Sequence, residues 1–96
     1  RSIAAESDEM LAQGTASRDF REGEWPRTIA SIGPDRVYAM RNGLPIDGLY
    51  IVTGNLFVWG WGYFVPANKD AFRPAPGADP SFELVGEGVY AYEIRG

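Results

Sequence analysis

Apolar and polar positions are most strongly patterned between Leu49 and Val65, LYIVTGNLFVWGWGYFV, and this stretch predicts a β-hairpin. Gly54-Asn55 between the two apolar runs is a two-residue turn signal, with glycine where a type II′ turn requires it. Pairing across that turn sets Thr53 opposite Leu56, Ile51 opposite Val58 and Tyr50 opposite Trp59. One face then carries Leu49, Ile51, Leu56, Val58 and Phe64, with Gly60 and Gly62 leaving a flat patch for a helix to approach. The other carries Tyr50, Val52, Phe57, Trp59, Trp61 and Tyr63, an aromatic ladder. Such a ladder is either core or a stacking platform for a sugar, a peptide or a partner protein.

The flanking patterns supply the remaining elements. Ser2 to Gln13 holds good helix formers with a thin apolar stripe at Ile3 and Met10, early acids at Glu6, Asp8 and Glu9, and a stop at Gly14. A stripe this thin predicts a loosely docked helix or a frayed terminus, so that trimming residues 1–13 costs little stability. Ser17 to Gly23 reads as a short turn around Phe20. Pro26 to Ile32 reads as a short helix, with Pro26 at its start, Gly33 past its end, and Trp25, Ile29 and Ile32 against the sheet; a strand over Arg27 to Ile32 is the alternative. Arg36 to Met40 predicts a strand with Val37 and Ala39 on one side and Tyr38 and Met40 on the other. Asn42-Gly43 through Asp47-Gly48 is a turn-rich loop.

Ser81 to Val85 and Val89 to Arg95 predict a second hairpin around Gly86-Glu87-Gly88, pairing Leu84 with Tyr90 and Phe82 with Tyr92. Between the hairpins, Pro66 to Pro80 holds four prolines in fifteen residues and no periodic pattern. Phe72 and Arg73 sit in its middle, where Phe72 either folds back over the aromatic ladder or reaches, with Arg73, for a partner.

The expected architecture is α+β: a five-stranded, mostly antiparallel meander with one or two short N-terminal helices packed on it. A small all-β barrel with a helical N-terminal arm is the alternative. Residues 1–24 form an acidic helical arm and residues 25–96 a single β-rich domain, since 96 residues are too few for two cores. An apolar fraction of 45% argues for a folded chain.

Charge and composition narrow the chemistry. The net charge of −4 and the lack of any basic cluster argue against a nucleic-acid partner and against docking on an anionic membrane. The longest apolar run, Leu56 to Val65, is too short to span a bilayer as a helix, so direct membrane insertion of this segment is not expected. Cysteine and histidine are both absent, which removes thiol chemistry, disulfides, the commonest zinc and haem ligands and the usual general base. The carboxylates Asp47, Asp70, Asp79, Glu83, Glu87 and Glu93 sit mostly at turns, without the spacing of a calcium loop or the setting of a glycosidase cleft. A removed signal peptide, a membrane anchor or a cut tag would each leave a chain that begins at Arg1. An extracytoplasmic or membrane-anchored domain is the expectation.

These exclusions leave a small non-catalytic protein-interaction module, or an accessory or inhibitor-type subunit, with no metal and no cofactor. It would act through the aromatic face and the proline-rich loop on a protein partner or a second copy of itself. The candidate contact residues are Tyr50, Phe57, Trp59, Trp61, Tyr63, Phe72 and Arg73, rich in the types that anchor interfaces. The alternative is a small-ligand or carbohydrate module stacking on Trp59 and Trp61, although the ladder lacks interleaved Asn, Asp or Gln for sugar hydroxyls.

Overall fold

Two helices lie on one face of a six-stranded antiparallel sheet, and the other face is covered by aromatic side chains and one loop. The computed structural model describes residues 2–96. In chain order the elements are α1 (Ile3–Leu11), β1 (Arg18–Phe20), a single 3-10 turn (Glu22–Glu24), α2 (Arg27–Ile32), β2 (Arg36–Met40), β3 (Gly48–Leu56), β4 (Trp59–Pro66), β5 (Ser81–Gly86) and β6 (Val89–Ile94). The strands lie in the order β1-β2-β3-β4-β6-β5, and the sheet is open rather than closed into a barrel. The fold class is α+β as the patterning predicts, with one strand more. The additional strand is the short β1, paired from Arg18 to Phe20 with Ala39 to Val37, where the sequence suggested only a turn. The meander also breaks at its end: β6, not β5, sits beside β4.

Strand alternation sorts the core into two layers. Phe20, Val37, Ala39, Leu49 and Ile51 face the helices and pack with Met10, Leu11 and Ile29. Tyr50, Val52, Phe64 and Tyr92 face the other way and pack with Phe72, edged by Tyr38, Met40, Phe82, Tyr90 and Ile94. Tyr38, Tyr50, Phe64 and Tyr90 line up on neighbouring strands as one cross-strand row. Ring centroids within this layer lie 4.6–5.2 Å apart, the spacing at which aromatic pairs attract.

The central hairpin forms, but it turns at Phe57-Val58 instead of Gly54-Asn55. Tyr50 therefore pairs with Phe64, not Trp59, and Ile51 pairs with Tyr63, not Val58. A register change by an odd number of residues exchanges the faces. The predicted ladder accordingly splits. Tyr50 and Val52 stay in the aromatic layer, Phe64 joins them, and Trp59, Trp61 and Tyr63 alternate to the reverse side. Packing explains the choice. The observed register buries Phe64 and Val65 completely beside Tyr50 and Leu49, an apolar gain that a local turn preference does not match. A bulge between Val52 and Gly54 lets the strands reach their turn, and Gly54 leaves room for the Trp61 indole, which a Cβ there would strike.

The glycine patch behaves differently from the expectation as well. No helix rests on it. A Cβ at Gly62 would collide with the Ile51 carbonyl and crowd the Thr53 amide at the bulge, whereas one at Gly60 would lie 3.9 Å from its nearest neighbours.

The N-terminal helix is firmly docked, contrary to the thin-stripe reading. Met10 and Leu11 are buried in the helix-side core, and Ser2 caps the helix by accepting from the Ala5 N–H at 3.0 Å. Glu6 is buried too, and it accepts from the N–H groups of Thr28 (3.2 Å) and Ile29 (3.0 Å) in the first turn of α2. Pro26, the N-cap residue of α2, offers no side-chain acceptor, and Glu6 fills that role from the other helix. Gly33 closes α2 in the left-handed conformation at φ 72°.

The loop after β4 crosses the aromatic layer to reach the far edge of the sheet, where β5 begins. On the way Phe72 drops into that layer against Phe64, Phe82 and Tyr90. Lys69, in the same loop, pairs with Asp8 of α1 at 2.7 Å.

Candidate functional site

The tip of the β3–β4 hairpin projects from the sheet as the largest group of exposed apolar side chains among the described residues. Leu56 is 55% exposed, Phe57 96%, Val58 73%, Trp59 44% and Trp61 39%. No charged residue occurs from Gly48 to Asn68, so nothing along the hairpin offsets this apolar surface. Two costs meet at Phe57. Its ring is almost wholly in water, and its backbone sits at φ 56°, in the left-handed region that a side chain with a Cβ occupies only against steric resistance. That first turn position usually belongs to glycine, asparagine or aspartate.

Below the tip, the two indoles are fixed rather than free. Their ring centroids lie 5.6 Å apart at 65°, an edge-on pair. The Trp59 Nε1–H donates to the Glu93 carboxylate at 2.7 Å, and Arg95 donates to the other oxygen of that carboxylate at 3.1 Å. On the aromatic side of the sheet, a cleft of about 310 Å³ runs from Phe57, Val58 and Trp59 down to Tyr38, Val52 and Tyr92. Arg36 forms one wall, its guanidinium 4.3 Å from the Tyr38 ring centre and 2.6 Å from Asp19. The Arg36 hydrogen bond holds the Asp19 carboxyl below the usual carboxylate range, against the effect of desolvation. Burial raises the Tyr38 phenol above its ordinary range and raises those of Tyr50 and Tyr92 strongly.

The seven residues singled out from the sequence do not form one surface. Phe57, Trp59 and Trp61 come together at the tip. Tyr50 is buried, with its hydroxyl donating to the Ile46 carbonyl at 2.7 Å. Tyr63 packs against the helix-side core. Phe72 is buried in the aromatic layer, and Arg73 stays in the loop with its guanidinium on the Phe72 carbonyl at 2.8 Å. Sequence reasoning passed over Leu56 and Val58, assigned to an inner face, and Arg36 and Tyr38, assigned only to a strand. The run Leu56-Phe57-Val58-Trp59 was itself a usable signal, since four consecutive apolar residues at a hairpin end cannot all face inward.

No group of three or more Asp or Glu side chains that would hold a metal ion occurs among the described residues. No helix among them is long and apolar enough to cross a membrane. Compared with known proteins, the chain matches no family model, no curated protein and no solved structure.

Proposed function

We propose that this chain is a non-catalytic protein-interaction module that seats the β3–β4 hairpin tip in an apolar pocket of a protein partner. The observation that carries the reading is Phe57, which costs stability twice in the free chain, once by hydration of its ring and once by its backbone. A residue so placed contributes nothing to the fold that glycine would not, and a receiving pocket recovers the ring's burial. On either side of Phe57 lie residue types that anchor interfaces: the Trp59 and Trp61 indoles on the helix side of the sheet, and Arg36 and Tyr38 in the cleft on its aromatic side. The geometry supports a stacked sugar less well. The two indoles are steeply inclined to each other, and the carboxylate beside them is already engaged by Trp59 and Arg95.

A photo-cross-linking side chain at position 57 tests this in the source cell. The expected result is one protein selectively cross-linked from position 57 and not from the exposed position 22, with the adduct lost when Trp61→Ala is added. In the purified chain, Phe57→Gly is expected to raise stability by about 1 kcal/mol, since glycine accepts the left-handed conformation freely. Cross-linking no more selective at 57 than at 22, or a saturable shift of tryptophan fluorescence with oligosaccharides, would overturn the reading.

A further inference from the structure

The two edges of the sheet are guarded unequally. At one, β1 is three residues long and bracketed by the Arg18–Glu24 and Arg36–Asp19 ion pairs. At the other, β5 runs for six residues without proline or lysine; its pairing is regular from Ser81 to Leu84, and the bulge between Leu84 and Gly86 and the charge of Glu83 are its only protections. Among the described residues β5 pairs with β6 alone, and its segment from Glu83 to Gly86 is exposed. The backbone groups along its outer side are complementary to another extended backbone.

Side chains at this edge add selectivity. On the helix side, Val85 forms the outer lip of an open groove of about 590 Å³, which continues inward over Val89, Ala91 and Tyr63 to Ile3 of α1. Leu84 is exposed on the opposite face of the same strand. Glu83 and Glu87 are exposed, and neither has a cationic partner among the described residues. In a chain of net charge −4, antiparallel pairing of β5 with its own copy would gather four of these carboxylates on one seam. A strand with basic flanks would meet them favourably.

We propose that β5 is a strand-addition site for an extended segment of a protein partner, with alternating apolar residues at its centre and lysine or arginine at its ends. The site is separate from the hairpin tip, and the proposal does not rest on the reading given to that tip.

The test is a titration of the isotope-labelled full chain, followed by amide NMR, with synthetic nonapeptides of alternating valine and threonine. Flanks of lysine, serine or glutamate are compared, together with a lysine-flanked peptide N-methylated across its centre. The expected result is saturable binding, tightest with lysine flanks, with shifts confined to residues 81–86 and their partners in β6. Glu83→Gln with Glu87→Gln is expected to weaken the lysine-flanked peptide about tenfold while leaving the serine-flanked one unchanged. The proposal is overturned by no saturable shift up to about 1 mM peptide, by equal binding of the N-methylated peptide, or by shifts centred on residues 56–61. Concentration-dependent protection of the β5 amides without peptide would overturn it too, by assigning the edge to a second copy.

Discussion

Glu6 is a buried carboxylate whose partners lie more than twenty residues away, in the first turn of α2. Burial alone would raise its pKa, but the N–H groups of Ile29 and Thr28 outweigh that and hold it below the ordinary glutamate range. A depressed folded-state pKa means that Glu6 stabilises the fold above its unfolded pKa and ceases to do so as pH falls through the folded one. Glu6→Gln is therefore expected to cost about 1–2 kcal/mol at neutral pH. The gap between variant and parent should close only at an acid pH below that depressed folded-state pKa, where both side chains are neutral. Denaturant unfolding at both pH values measures it, and a gap that persists at low pH would show that the charge is not what α2 uses. The sequence placed Glu6 only as an acid early in its own helix. Its real role was illegible because nothing local shows which distant helix lacks a cap. Phe72 was half-legible in the same way: a large ring in a mobile-looking loop must go somewhere, and the aromatic layer was the nearest apolar surface.

The hairpins show what decides the register of an element. The β5–β6 pairings Leu84 with Tyr90 and Phe82 with Tyr92 were readable because the glycine-rich turn signal agrees with the register that sorts apolar from polar side chains. The turn itself is tighter than the expected Gly86-Glu87-Gly88 loop: Gly86 pairs with Val89, leaving Glu87-Gly88 as the turn and a bulge between Leu84 and Gly86. The β3–β4 pairing was not readable, because Gly54-Asn55 competes with the burial of Phe64 and Val65, and burial wins. The glycines follow from the observed register. Gly62→Ala should destabilise the domain by about 1–3 kcal/mol, since the new methyl meets backbone that the bulge holds in place. Gly60→Val should change stability by less than about 0.5 kcal/mol, since its position is open. Thermal melts of the two variants decide it, and the reverse ranking would place the contact on the wrong glycine.

For the whole molecule, the helix layer is as necessary as the sheet. Removing residues 1–13 withdraws Met10 and Leu11 and uncovers Ile29, Leu49 and Ile51. The two lost side chains alone are worth about 3–6 kcal/mol of burial, against about 5–15 kcal/mol for a typical domain. The truncated chain is expected to lose its cooperative unfolding transition by circular dichroism, and a melting temperature within a few degrees of the parent would contradict this. The α+β class, the helix on the Pro26–Gly33 signals and the final hairpin were all legible in local pattern. The strand order was not, because the departure from a meander is set by a long connection whose course the prolines do not encode.

That order has a consequence for how the molecule is made. The last of these six strands in chain order, Val89–Ile94, occupies an interior place between two strands synthesised before it. Until it emerges, the flank of β4 stays bare and β5 has nothing to hold. During synthesis the sheet therefore stays incomplete until residues 89–94 have emerged, and their insertion between β4 and β5 completes it.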